Sequence, residues 1–434
     1  MERRTFLKIL SSAGIVSLVS PTFAMEVCKN KVSKSSSALL ESAFRNPPFS
    51  SGVYTWWHWM NGNITKDGIT RDLEAMKANG IAGYQLFEAG SGIPIGPVES
   101  LSDEWVDLIL HTLKESERLG LEFAMHNCPG WSSSGGPWIT PDKAMQIITW
   151  SETKITGGKQ VRIQLPTPKH MFDYYIDTYC LAIPANMKVI PRLSILELSN
   201  RLDKDGVLTW DVPTGEWLIM RFGQTAKDQK NKSAPSKSTG LDCDKFSTEA
   251  LDYHLNCMFK RLMPTMEKIA KHSKIGLLID SYETGDQDWT SDMPAYFEQS
   301  HGYELYPFLP VLANKIVESE ESTKRFLFDF RRVRADMFAE RYYGHFQKRC
   351  KEKGIITYTE PYGGNMMEEL QVAQQLDINM GEFWCGQTVL WANYKYNRTV
   401  KQVASIVHTL GGKVVGAEAF TSEPDADKWL QYPF

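Results

Sequence analysis

Leu277-Leu278-Ile279-Asp280-Ser281-Tyr282-Glu283 decides the reading of this chain. An apolar run of strand type ends abruptly in a carboxylate, a hydroxyl, an aromatic ring and a second carboxylate. The pattern recurs in Ile355-Ile356-Thr357-Tyr358-Thr359-Glu360 and in Val414-Val415-Gly416-Ala417-Glu418. A strand buried on both faces of a parallel sheet needs a near-continuous apolar run, and acids at its C-terminal end are how a β/α barrel builds an active site. Carboxylates converging on one mouth point to acid–base chemistry on a polar substrate, with sugars the first candidate.

Outward from that stretch, strand-like and helix-like segments alternate from residue 53 onward. Strands are expected over 53–59, 81–87, 121–125, 354–358, 378–383 and 414–417, besides the one running to Tyr282. Thr65 opens an amphipathic helix marked by Ile69, Leu73 and Met76, and Gly80 ends it. Ser102 or Asp103 caps a second helix through Trp105, Leu108, Ile109 and Leu113, stopped by Gly120. Further helices are expected over 247–272, 325–353 and 399–410. Residues 145–225 instead show period-two runs punctuated by Gly157-Gly158, Asp205-Gly206 and Pro213-Thr214-Gly215, the signals of hairpins. The polar, Lys/Ser-rich stretch 227–240 reads as a mobile loop.

The expected class is therefore α/β: a (β/α)8-type TIM barrel, seven strands visible and the eighth missing, with an all-β module inserted after strand 3. The domain reading is an export signal over 1–24, barrel over 40–144, a β-rich module with its polar loop over 145–240, and barrel again over 241–434.

Composition narrows the function. The 434 residues exceed the roughly 250 of a plain barrel. With 48 basic against 52 acidic residues, no nucleic-acid or anionic-membrane footprint is present. The 13 Trp, 17 Tyr and 20 Phe suit both a large core and stacking on sugar faces. Seven Cys without a C-x-x-C pair argue against a zinc ribbon and leave at least one thiol unpaired within a monomer. Arg3-Arg4-Thr5-Phe6-Leu7-Lys8, the apolar stretch 9–19 and Thr22-Phe23-Ala24 read as an export signal that resembles the twin-arginine variety. The apolar stretch is too short for a stable membrane span, so a periplasmic or secreted protein is expected.

At the strand ends, Glu283 suits a general acid, its carboxyl raised by Tyr282, Trp289 and nearby like charges. Glu418, among Ala417, Ala419 and Phe420, suits a general base. Glu360 and Glu382 compete for that role, or bind sugar hydroxyls or a cation. Asp280, Tyr282, His58, His126, Asn127 and Trp131 are candidate substrate contacts, with Trp289 a second stacking platform. Asp329 reads as a buried partner of Arg331 or Arg332. Ser132-Ser133-Ser134-Gly135-Gly136 lacks the lysine of a phosphate loop and is set aside.

Several motifs resemble glycoside hydrolase family 106. They are Trp56-Trp57-His58-Trp59-Met60-Asn61-Gly62-Asn63-Ile64-Thr65, Gly68-Ile69-Thr70-Arg71-Asp72-Leu73 and His126-Asn127-Cys128-Pro129-Gly130-Trp131-Ser132, followed by Gly135-Gly136-Pro137-Trp138. Asp280-Ser281-Tyr282-Glu283 and Gly416-Ala417-Glu418-Ala419-Phe420 match as well, so the resemblance runs from about residue 40 to the end. It implies an α-L-rhamnosidase that releases terminal L-rhamnose from polysaccharides or glycosides, with inversion and dependence on Ca2+. It places Glu283 at the general-acid position and Glu418 at that of the base, with Asp280, Glu382 and Asp329 at positions linked to the site. Glu360 and Glu382 are the candidate metal ligands. Members usually continue for several hundred residues, whereas this chain stops at Phe434. A truncated, inactive rhamnose-binding remnant is thus one alternative, and a barrel glycosidase of other specificity is another.

Overall fold

The computed structural model describes residues 34–131, 134–384, 390–412 and 414–421. The expected export signal, Cys28, Ser132, Ser133, Cys385 and Phe434 lie outside the described residues. The chain divides between Val53 and Tyr54. Before that point lies a helix, Lys34–Arg45, on which Arg45 pairs with Glu41 one turn away at 3.0 Å.

Strand β1 is Val53–Met60, β2 is Ile81–Ala89 and β3 is Glu122–His126. Helices α1 (Lys66–Ala78) and α2 (Asp103–Leu119) connect them. Their ends follow from side-chain chemistry. Thr65 caps α1 by accepting the Gly68 N–H at 3.1 Å, and Ser102 caps α2 by accepting the Trp105 N–H at 3.1 Å. Gly120 closes α2 at φ +66, a left-handed turn that costs glycine nothing. Ile69 and Leu73 on α1, and Trp105, Leu108, Ile109 and Leu113 on α2, form the buried stripe that fixes both helices to the sheet.

Between Gln146 and Ala226 the pairing turns antiparallel. The strands are β4 (Gln146–Thr156), β5 (Lys159–Gln164), β6 (Ile176–Pro184), β7 (Leu196–Glu197), β8 (Val207–Val212) and β9 (Glu216–Ala226). One sheet runs β4-β9-β6-β7, and β8 pairs with β5 as a ribbon. This region does not have a core entirely of its own. Leu181, Met220 and Phe222 pack in the same apolar cluster as Phe259 and Leu277, while Leu165, Leu208, Trp210 and Ile219 form a smaller one. The following stretch, expected to be a mobile loop, is pinned. Asn231 is buried and donates to the Pro129 and Ser238 carbonyls at 2.8 and 3.2 Å, and its own oxygen accepts the Gly240 N–H at 2.8 Å.

The single helix expected over 247–272 is two, α3 (Thr248–Phe259) and α4 (Met263–Ala270). Pro264 falls in the first turn of α4, where its missing N–H costs no intrahelical bond. Strand β10 is Ile275–Ile279. Helix α5 (Glu320–Met337) continues through a π-helical turn, Phe338–Gly344, into α6 (His345–Lys351). Then come β11 (Ile356–Thr359), β12 (Ile378–Trp384), α7 (Leu390–Thr409) and β13 (Gly416–Thr421). The last strand starts later than its apolar run suggested, with Val414 and Val415 exposed before it.

These strands form one seven-stranded sheet in the order β1-β2-β3-β10-β11-β12-β13. The pairs from β2 to β13 are parallel. The sheet is curled: Gln85 on β2 donates to the Met380 sulfur on β12 at 3.3 Å. Four steps of about 4.8 Å separate those strands in a flat sheet, so only curvature brings them together. The inner face holds a small cluster of Ala124, Leu278, Tyr358 and Met380, with Trp56, Ile356 and Ile378 against it. The outer face, through Phe123 and Leu277, joins the main core. Among the described cysteines, Cys128, Cys180, Cys243 and Cys350 are buried and Cys257 is exposed.

Candidate active site

Strand alternation builds the site. Successive side chains point to opposite faces, so the inner-face residue of each strand is followed two positions later by another inner-face residue. Ala124 leads to His126, Leu278 to Asp280, Tyr358 to Glu360, Met380 to Glu382 and Gly416 to Glu418. An apolar layer is thereby capped by a layer of ionisable groups. Register aligns the layer: Leu278 lies opposite both His126 and Tyr358, and Glu382 lies directly opposite Glu418. Parity also explains an exclusion. Glu88 is the penultimate residue of β2 but follows Phe87, so it turns to the helix side, where Ser100 donates to it at 2.9 Å and burial pushes its carboxyl up to about 7.

The layer is strongly coupled. His126 Nε2–H donates to Asp280 Oδ2 at 2.8 Å, and its Nδ1 stands 3.2 Å from the Leu86 carbonyl oxygen. Burial works against ionisation of Asp280, but the His126 bond and charge outweigh it and hold the carboxyl below its ordinary range. Glu360 goes the other way. Burial first, then the charges of Asp280 and Glu418, push it far up, and the Tyr362 hydroxyl donates to its Oε2 at 2.5 Å. Burial likewise lifts Glu418 to about 8, with Asp280, Glu382 and Glu283 adding repulsion and a Thr421 hydroxyl bond at 2.5 Å opposing it.

One oxygen from each of Asp280, Glu360 and Glu418 lies within 4.8 Å of the other two, and among the described residues no donor group reaches the buried Glu360 Oε1. Three clustered carboxylates with an orphaned oxygen need either shared protons or a cation. All the donors are hard oxygens, which suits Ca2+ rather than a thiophilic metal. Of the two ligands expected from sequence, Glu360 is in this trio. Glu382 is buried beside it but is not one of the three.

Glu283 occupies a different setting. It follows Asp280 by three residues, is past the end of β10 and is exposed. Trp131 Nε1–H and Lys232 Nζ both donate to its Oε2 at 3.3 Å, and the Ser281 hydroxyl donates to Oε1 at 3.3 Å. The apolar surround expected for it is absent. The Tyr282 ring turns into the core against Phe338, with its hydroxyl on the Gly285 carbonyl at 2.8 Å, and Trp289 is wholly buried. Neither lines the mouth, because the residues next to Glu283 in sequence point away from it.

An aromatic strip borders the ionisable layer. Trp56 stacks on His126 at 5.1 Å, Phe87 tilts over His126 at 4.7 Å, and Trp131 follows Phe87 at 5.3 Å. His58 is exposed beside Phe87, and partial burial and then His126 hold its imidazole below its ordinary range. Asn127 is committed elsewhere: it donates to the Leu278 carbonyl at 2.8 Å and accepts from Ser134 and His254. Among the described residues Asp329 pairs with no arginine at hydrogen-bonding distance; the Tyr303 hydroxyl donates to it at 2.9 Å. Sequence reading missed Tyr362 and Lys232. The one available signal for Tyr362 was Pro361-Tyr362-Gly363-Gly364 straight after a strand-end acid. Gly363 sits at φ +113, where a Cβ would be 2.2 Å from the Tyr282 carbonyl oxygen, so glycine lets the two strand-end loops cross.

The model of a glycoside hydrolase family, number 106, described as alpha-L-rhamnosidase, matches residues 45–175 and 169–434. A protein of Formosa agariphila named "Putative beta-glucuronidase" is 41% identical over 425 residues, which is 91% of this chain and 36% of that protein. The solved rhamnosidase of Novosphingobium sp. PP1Y superposes with a TM-score of 0.78 at 24% identity, over 88% of this chain and 53% of that one. The chain thus spans about a third of one relative and half of the other.

Proposed function

The chain belongs to glycoside hydrolase family 106, described as alpha-L-rhamnosidase, and from that premise we propose that its mouth hydrolyses terminal α-L-rhamnosyl residues of polysaccharides or glycosides with inversion. The observation that carries the proposal is the pairing of a buried carboxylate layer with an exposed carboxylate, Glu283, at its rim. Inversion needs an acid on the leaving-group side and a base with room for water on the other. In this reading Glu283 gives its proton to the glycosidic oxygen. Glu418, once ionised, takes one from the attacking water. His126 fixes Asp280, and together they bind sugar hydroxyls. Trp131 and Trp56 offer ring faces to the apolar side of the sugar.

Ca2+ belongs to the same proposal. Asp280, Glu360 and Glu418 would hold it, with Glu382 alongside. When bound it neutralises the acid layer and orients sugar hydroxyls. The curled sheet is read as the larger part of a (β/α)8 barrel, with the antiparallel region as its insertion. Export to the periplasm or beyond is likewise proposed, from the N-terminal sequence. Among the described residues no helix is long and apolar enough to cross a membrane.

A second reading, hydrolysis of a different glycoside, is favoured by the name of the 41% identical relative. Both are tested by one panel of aryl glycosides, including α-L-rhamnoside, β-D-glucuronide, β-D-galactoside and α-L-fucoside, assayed with Ca2+. Turnover of the rhamnoside well above the others supports the proposal. Preference for the glucuronide, or rhamnose binding without turnover, overturns it in favour of the second reading or a sugar-binding remnant.

A further inference from the structure

The floor of the mouth is built of acids, Asp280, Glu360, Glu382 and Glu418, whereas at the rim Lys232 Nζ stands 3.3 Å from Oε2 of Glu283. An acid must face the bond it protonates, so the rim beside Glu283 is where the leaving group lies. This step rests on the reading of Glu283 as the general acid. Lys232 therefore flanks the leaving group and not the rhamnosyl ring.

Its position is over-determined by the backbone. The Trp131 N–H donates to the Lys232 carbonyl at 3.1 Å, and the Gly90 N–H donates to the Ser233 carbonyl at 2.7 Å. Gly130, at φ +74, lets the two segments touch: a Cβ there would be 1.9 Å from the Lys232 carbonyl oxygen. Ser233 itself takes φ +57, an uncommon conformation for a residue with a side chain. The chain thus anchors this segment to the ends of β2 and β3 while the Lys232 side chain remains 46% exposed. That exposure leaves Lys232 open to incoming solute.

We propose that Lys232 reads an anionic group on the aglycone, so that this site favours rhamnosyl residues attached to acidic sugars. The rim cation attracts an anion at the leaving-group subsite, and a fixed charge at that end favours one direction of entry for an acidic chain. A uronate carboxylate and a sulfate ester share the chemistry that Lys232 would recognise.

The test compares kcat/KM, and binding by calorimetry, for rhamnosyl-glucuronic acid, its carboxyl-reduced neutral counterpart and a sulfated counterpart. Wild type, Lys232→Met and Lys232→Arg are measured at low and high salt. Wild type is expected to favour an anionic substrate by about fivefold, the scale of one partly exposed ion pair, mostly through KM and less at high salt. Lys232→Met should bring the ratio to one and Lys232→Arg should keep it; the carboxylate and sulfate arms show which anion is preferred. A wild-type ratio of one overturns the inference, as does an anionic-to-neutral ratio that Lys232→Met leaves unchanged, whatever uniform loss the variant shows through its contact with Glu283. Failure of the acid assignment is seen separately, as Glu283→Gln retaining hydrolysis of an alkyl rhamnoside.

Discussion

The inner-face carboxylates and Glu283 are both strand-end acids, yet the protein treats them oppositely. Asp280, Glu360 and Glu418 are delivered by the two-residue repeat into a desolvated layer, where they shift one another's proton affinity. Glu283 lies past the repeat, in water, held by Trp131, Lys232 and Ser281. Burial raises Glu418 on the floor while donors surround Glu283 at the rim, so in the proposed mechanism Glu418 has to be ionised before it can serve as base. In the same proposed mechanism the floor binds and the rim meets the leaving group.

The sharpest way to break this division is to remove each partner. Glu283→Ala is expected to lower kcat on alkyl rhamnosides by about 10²–10⁴-fold, but far less on 4-nitrophenyl rhamnoside, whose leaving group needs little protonation. Glu418→Ala should lower both substrates by a similar large factor. Steady-state kinetics on the two substrates decides it, and identical patterns for the two variants would erase the distinction.

Calcium comes next. If the floor trio binds it, free Ca2+ at about 100 times Kd stabilises the fold by about 2.7 kcal/mol, read as a rise in Tm that chelation reverses. A Tm indifferent to Ca2+ and chelator leaves shared protons as the explanation of the trio.

The pH dependence has a defined sign. Glu418 is raised above its unfolded value, so it favours the fold fully only below the ordinary carboxylate range, and that contribution is lost as pH rises through about 8. Metal-free protein should therefore lose Tm as pH climbs from about 4.5 toward 8, the interval between the two values. Activity should move the other way, falling below that same midpoint because the base must be ionised. Added Ca2+ is expected to shift the midpoint down, since it competes with the proton.

The smallest expected effect is Tyr362→Phe. Loss of its bond to the buried Glu360 oxygen should cost about 1–2 kcal/mol in chemical denaturation. Glu360 is expected to titrate differently in that variant, whereas Glu283-dependent leaving-group sensitivity should stay as it was.

The floor was more legible in the sequence than the rim. An apolar run closing on an acid states both a buried strand and the residue it delivers, and alternation then fixes the face. Helix ends at Thr65, Ser102 and Gly120 were legible for the same reason, since each rests on a local hydrogen bond or a backbone conformation. The rim depends on contacts far apart in sequence. Lys232 reaches Glu283 from a polar stretch whose order comes from Asn231 and from the backbone of Gly90 and Trp131. Polarity without periodicity read as mobility. Tyr282 and Trp289 failed as mouth residues for a related reason: once the chain leaves a strand, parity no longer says where a neighbour points. Asn127 lies one position beyond an inner-face residue, and its side chain is spent on the Leu278 carbonyl.

The most direct measurement of the central claim is the anomeric configuration of newly released rhamnose, followed by proton NMR during hydrolysis of an aryl α-L-rhamnoside in Ca2+. The division between a base on the floor and an acid at the rim predicts that β-L-rhamnose appears first and then mutarotates. First appearance of the α-anomer would contradict it, because retention requires a carboxylate nucleophile where this account places a water.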